Sequence, residues 1–450
     1  MRNNTVSQYD KMTKTDILPL IVKLSIPTII SMLISNIYNL ADTAFVGKLG
    51  TSASGAVGVV FGYMSIIQAL GFMFGQGSGS IIARSLGEKD IAKARQTAST
   101  GFFGALTFGL ILSVFSIVFL DDLVMGLGST NTIKPYAKTY ICFILAAAPL
   151  MTTSFILNNI LRYEGKAMLG MIGMLTGALL NIAGDPIFMF VFKMGIAGAG
   201  LSTALSQIVS FCILLSMFVT GKTTSRIALK YVTLDLHVIF NIVSTGFPSM
   251  LRQGLNSITT VMLNSYASFY GDEAVAAMSI VSRIAFFVMS IALGIGQGFQ
   301  PVCGFNYGAG KYSRVRSAYK VTFALAETLL AIMVVVVLII SDSLIGAFRN
   351  DPAVIVIGTR ALRLQMMALL FLPFCMITEM MFQSTGKRLG ASILSSLRSG
   401  VFFIPALIIL ANTRGLSGIQ EAQPIAFVLG FFPSIIFMVW FFCKMPKEDK

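Results

Sequence analysis

Residues 53–83 read ASGAVGVVFGYMSIIQALGFMFGQGSGSIIA, 31 positions without one charged side chain. As a helix rising 1.5 Å per residue, such a run outlasts the ~30 Å hydrocarbon core of a bilayer. Gly71, Gly75 and Gly79 recur at every fourth position, a spacing that lets helix backbones approach, and ordinary helix packing explains them. Comparable apolar runs lie near 20–46, 97–120, 138–160, 168–192, 196–220, 237–267, 274–303, 319–341, 353–383, 391–411 and 424–443. The 450-residue chain is 55% hydrophobic and 12% charged, with mean hydropathy +0.82. Soluble domains carry about 25% charged residues. The expected fold is therefore an all-α polytopic membrane protein with twelve transmembrane helices.

The Gly75-Gln76-Gly77 triplet returns as Gly296-Gln297-Gly298. The same ungapped shift carries Pro27 onto Pro248, Gly50 onto Gly271, Gly87 onto Gly308, Arg95 onto Arg316 and Gly165-Lys166 onto Gly386-Lys387. Six spans per repeat is an even number, so both repeats cross the membrane in the same sense. This predicts two six-helix lobes, 1–220 and 237–450, related by a pseudo-two-fold axis along the membrane normal and joined by a cytoplasmic linker, 221–236. Secondary transporters of this build alternate access between lobes.

Sidedness follows from the basic residues. One set of alternating segments, including both termini, the linker and the run Lys387, Arg388 and Arg398, holds 23 Lys and Arg. The opposite set holds six: Lys48, Lys134, Lys138, Lys193, Arg349 and Arg414. The rule that positive loops stay inside puts both termini in the cytoplasm of a bacterial or archaeal plasma membrane. The opening stretch, MRNNTVSQYDKMTKTD, is polar, so no cleavable signal peptide is expected. A net charge of +14 spread over short loops is not a nucleic-acid footprint. Cys142, Cys212, Cys303, Cys375 and Cys443 have neither disulfide nor metal-ligand spacing and read as packing residues.

Four acids fall inside spans: Asp42, Asp185, Glu327 and Glu379. A carboxylate at a membrane-helix centre costs about 2.5–3.5 kcal/mol on insertion scales and is a functional candidate by default. Asp185 sits in LLNIAGDPIFMF (179–190), directly before a proline that withholds a backbone donor. Asp42 and Asp185 end spans that run the same way, so topology puts them at similar depth in one lobe. Asn181 shares a helix face with Asp185, as Asn36 and Asn39 do with Asp42. Such a site suits a proton, or Na⁺ through oxygen ligands alone; a structural hydrogen-bond network is the plainer reading. Glu379 falls on Asn158 by the repeat shift, and Glu327 on Leu106. Arg252 or Arg283 could neutralise either glutamate.

Pro27 with Asp42, ARSLGEKDIAKARQ (83–96), LLNIAGDPIF (179–188), GAGLSTALS (198–206) and GFNYGAGKYSRVRSA (304–318) together resemble the MATE family of multidrug and toxic compound extruders, in its bacterial multidrug branch. The resemblance spans nearly the whole chain. It implies an antiporter that expels lipophilic, often cationic compounds against inward H⁺ or Na⁺ flow. It further implies a cation-coupling site at Asp42, Asn158, Asn181, Asp185 and Thr203, with bending of the first helix near Pro27. Another branch of the family places a cation site in the second lobe, where this chain has Asn256 and Phe374. Glu379, Glu327, Asn256 and Arg252 are thus candidates for a second-lobe substrate or cation site. The 25 Met and 36 Phe suit a cavity for flat cations, although membrane helices also use both for packing.

Enzymatic readings fare poorly. The only histidine, His237, excludes an HExxH zinc site, and SMFVTGKT (216–223) lacks the first glycine of a phosphate-binding loop. The expected partners are small lipophilic or cationic molecules, H⁺ or Na⁺, and membrane lipid, with no nucleic acid, no cofactor and a monomeric chain. The alternative function is a lipid or oligosaccharide flippase of a related two-lobed superfamily. It draws on Arg252, Arg283, Arg360 and Arg363, which could hold a pyrophosphate.

Overall fold

A computed structural model describes residues 2–449, with side chains from Gln8 onward; Lys450, one of the counted basic residues, lies outside. Among the described residues every regular element is helical. A short helix, Arg2–Lys14, precedes the first span, Ile17–Gly47. The next five are Thr51–Gly87, Ile91–Val118, Lys134–Tyr163, Ala167–Val191 and Ile196–Val219. The seventh span is Leu236–Ala267, followed by Asp272–Gly308 and Tyr312–Ile339. Pro352–Leu369 with Leu372–Ser384, then Arg388–Arg414 and Leu416–Lys444, complete the series.

Eleven of these helices are long and apolar enough to cross a membrane. The seventh span has the length, 32 residues, but Asn241, Arg252, Gln253, Asn256 and Asn264 dilute its apolar character. Three spans are interrupted, two of them at prolines. In the tenth, Pro373 has no N–H to give the carbonyl four residues back, and the helix ends at Leu369, that very residue. The fifth passes from α-helix at Pro186 into a π-turn, Ile187–Val191. The eleventh contains a second π-turn, Leu397–Phe402. Single π-turns inside α-helices concentrate at functional sites.

Two compact units emerge. One comprises Ile30–Met250 with the chain start through Tyr9, the other Asp10–Ile29 with Leu251–Lys450. The boundaries cut the first and seventh spans two residues after Pro27 and two residues after Pro248.

In the first unit, Gly71, Gly75 and Gly79 form a groove for the fourth span. Cβ atoms placed on them would meet Phe155, Asn159 and Tyr163 respectively, each one turn further along. Tyr163 then donates to Gln76 Oε1 at 2.7 Å, pairing two buried polar atoms across the helix contact. The glycine stripe is packing, as its spacing suggests. The linker is fastened to the same unit, since Glu164 accepts from the backbone N–H groups of Thr224 at 2.9 Å and Ser225 at 2.6 Å.

Candidate functional site

Four helices of the first unit converge on Asp185. Its side chain is 0% exposed, and Asn181, one turn back on the same helix face, donates from Nδ2 to Asp185 Oδ1 at 3.3 Å. The same Nδ2 reaches Thr203 Oγ1 at 3.1 Å. Close approach of the sixth span is possible because residue 184 is glycine; a Cβ there would sit 2.5 Å from Ser202 Oγ. Ser202 uses that closeness to donate to the Asn181 carbonyl at 3.2 Å.

Asp42 arrives from the first span, buried, and its carboxyl comes within hydrogen-bonding reach of Asp185. Tyr140 of the fourth span donates from its hydroxyl to Asp42 Oδ2 at 3.4 Å and also lies against Thr203. Tyr38, one turn before Asp42, is close enough to feel both carboxylates. Three oxygens at the centre, Asp42 Oδ1, Asn181 Oδ1 and Asp185 Oδ2, are buried with no hydrogen-bond donor among the described residues. All three are acceptors. Burying them costs free energy that a proton or a cation can offset.

Asp42, Asn181, Asp185 and Thr203 are therefore gathered together, while Asn158 is not. Asn158 packs on Gly170 of the fifth span, fifteen residues before Asp185 and about 22 Å away along the helix. Pro27 lies within the continuous helix Ile17–Gly47. Tyr38 and Tyr140 are additional members. Tyr38 was accessible to the helix-face rule that links residues four apart. Tyr140 carried no local signal, because its place depends on how the fourth span packs.

The second unit treats its acids differently. Arg252 Nη1 lies 2.5 Å from Glu379 Oε1, and Ser395 donates to the same oxygen at 2.7 Å. Asn256 accepts from Ser399 at 3.0 Å. Arg252 is thus the neutralising partner of Glu379, and Arg283 is exposed elsewhere. Glu327 is half-buried, with Oε2 unpartnered among the described residues. Arg398, counted with the cytoplasmic loop charges, instead sits in the π-turn of the eleventh span, 6% exposed. The apolar run continues through it and carries it into the helix.

A family model described as MatE matches residues 27–187 and again 248–409. The chain belongs to the MatE family. The two matches begin at Pro27 and at Pro248, the pair that the internal repeat superimposes. Multidrug export protein MepA of Staphylococcus saprophyticus is 31% identical to this MatE chain over 403 residues, covering 89% of each. The protein of that name from Staphylococcus aureus is 29% identical over 407 residues, covering 90% of each. Among solved structures, an outward-facing multidrug resistance MATE family transporter of the MOP superfamily gives a TM-score of 0.92 at 28% identity, covering 97% of this chain and 98% of that one. A MATE in the bent conformation gives 0.89 at 28% identity, covering 97% of each. The MatE chain is accordingly a multi-pass membrane transporter rather than an enzyme.

Proposed function

We propose that this chain is a cation-coupled multidrug antiporter, exporting lipophilic and often cationic compounds against inward flow of H⁺ or Na⁺. The observation that carries the reading is the trio of donorless acceptor oxygens on Asp42, Asn181 and Asp185. Two carboxylates within reach of one another repel when both are charged. A proton shared between them, or Na⁺ on the three oxygens, removes the repulsion and supplies the missing donor. Names of the staphylococcal relatives supply the export of drugs.

Coupling requires that cation occupancy change the favoured conformation. Asp42 lies on the helix that also holds Pro27, and the chain passes between compact units two residues after that proline. Loading the cation would alter the hold on the outer part of the first span and bend it near Pro27. The equivalent point in the seventh span is Pro248. On this reading 1–220 and 237–450 act as alternating lobes, the linker is cytoplasmic, and a single chain suffices.

The test is ethidium uptake by proteoliposomes under separately imposed ΔpH and ΔNa⁺. One gradient should drive uptake, and Asp185→Asn should abolish the dependence while the protein remains folded. Uptake by Asp185→Asn at the wild-type rate would overturn the site. The flippase alternative is weakened because Arg360 and Arg363 are exposed and spoken for, by Glu421 at 3.6 Å and Asp342 at 3.0 Å.

A further inference from the structure

We propose that the second unit binds the anionic group of a transported compound at Arg398, so that substrates include lipophilic molecules bearing a carboxylate or a similar oxyanion. The proposal rests on the transporter reading above and narrows its substrate class.

Three helices build the site from residues one turn apart. The seventh span supplies Arg252 and Asn256, the tenth Cys375 and Glu379, the eleventh Ser395, Arg398 and Ser399. Most of their polar groups satisfy one another. Arg252 and Ser395 both spend their donors on Glu379 Oε1, and Ser399 spends its own on Asn256. Arg398 is the exception. Its side chain lies close enough to feel both Glu379 and Arg252, and its guanidinium carbon stands 5.5 Å from the centre of the Phe427 ring. Yet it forms no hydrogen bond or ion pair among the described residues, and its Nε is buried without an acceptor.

The charges decide what is missing. Two buried guanidiniums face one carboxylate, leaving one positive charge uncompensated in a part of the chain built to lie in membrane. A cation–π contact contributes far less than desolvating a charge costs. A second cation would worsen the imbalance, so Glu379 is not a cation-coupling acid. An anion would balance it. The planar fork of arginine matches the two oxygens of a carboxylate or phosphate, and the contact with the Phe427 ring orients that fork.

Rhodamine 110 and rhodamine 123 share a ring system and differ in one group, a free carboxylate in the former and its methyl ester in the latter. Their binding to the purified full-length protein, read by fluorescence anisotropy in chloride-free buffer, isolates the anionic group. Rhodamine 110 should bind at least about tenfold more tightly, the scale of one charge-assisted hydrogen bond. Arg398→Gln should erase that preference with less than a twofold change for rhodamine 123, and Arg398→Lys should restore part of it. On the wild type, benzoate should compete with rhodamine 110 at least tenfold better than benzamide does, which keeps the test open if Arg398→Gln fails to fold. Equal affinity of the wild type for the two dyes would overturn the proposal. So would equal loss of both dyes in Arg398→Gln, or a preference that disappears when chloride is added, since a free inorganic anion would then hold the site. Binding needs no gradient. A carboxylate preference without driven transport would sink the coupled-antiporter reading and leave the anion site standing, and driven transport without the preference would do the reverse.

Discussion

Gly298 lies so near Ser25 that a Cβ on it would fall 2.8 Å from the Ser25 backbone nitrogen. In the other repeat the relationship recurs: a Cβ on Gly77 would fall 3.0 Å from the nitrogen of Gly246. Within each compact unit, then, the last glycine of the Gly-Gln-Gly triplet receives the opening turns of a span from the other sequence half. Real Cβ atoms essentially never come under 3.0 Å to backbone, so a larger residue at 298 must push helices apart. Gly298→Val is expected to destabilise by about 1–3 kcal/mol, the usual cost of overpacking. Gly62, mid-helix with nothing within 4 Å of its Cβ position, is the control, and Gly62→Val should leave stability unchanged or raise it by under about 0.5 kcal/mol, since valine has the better helix propensity. Thermal unfolding in detergent measures both; equal behaviour of the two variants would contradict the close crossing.

Much of this was legible beforehand. Uncharged runs set the spans, and the register of the internal repeat marked Gly77 and Gly298 as equivalent. What register alone withheld is which helix each glycine receives, because a repeat says that two positions match and not what they touch. Asp42, Asn181 and Asp185 were found by cost and helix-face spacing, rules that act along one helix. Tyr140 and the displacement of Asn158 to Gly170 depend on the rotation of the fourth span, which no local rule reports. The break before Pro373 was readable from the proline itself, but length and hydropathy merged its two pieces into one span. Charge alone places Arg398 in a loop, whereas the apolar run continuing past it carries it into the helix.

The Arg252–Glu379 pair makes an asymmetric prediction. Glu379→Gln leaves two buried guanidiniums with no carboxylate, and breaking a buried pair in this way costs about 3–5 kcal/mol. Arg252→Gln leaves Glu379 with Arg398 still nearby, so its cost should be smaller. Comparison of unfolding temperatures for the two single variants checks this. An Arg252→Gln protein no more stable than Glu379→Gln would remove Arg398 from the cluster.

Asp121, past the end of the third span, is held below the ordinary carboxylate range by hydrogen bonds from Lys134 and then Lys138, at ion-pair distances of 2.8 and 3.0 Å. A carboxyl whose folded value is depressed contributes stability above its unfolded value of about 3.9 and loses it as pH falls through the lower folded value. Wild type should therefore unfold at a slightly higher temperature than Asp121→Asn at pH 7 and at pH 5. The gap should close below about pH 4, and should shrink in ~1 M salt because the pair is exposed. A gap that persists unchanged to pH 3 would assign it to packing.

Tyr140 offers a test of the proposed coupling site that leaves both carboxylates in place. Its hydroxyl gives Asp42 Oδ2 a donor at 3.4 Å, and Phe keeps the ring while removing the donor. Without it Asp42 depends more on the proton or Na⁺ to satisfy its oxygens, so the cation is held more tightly. A hydrogen bond contributes about 0.5–1.5 kcal/mol net, which converts to a two- to tenfold fall in the half-saturating concentration of the coupling cation. Tighter holding also slows release, and turnover under a saturating gradient should fall with it. Initial rates of dye uptake across a titration of external H⁺ and Na⁺ give both quantities. If Tyr140→Phe lowered turnover at every cation concentration alike, with the half-point unmoved, Tyr140 would be positioning the fourth span and not tuning the cation.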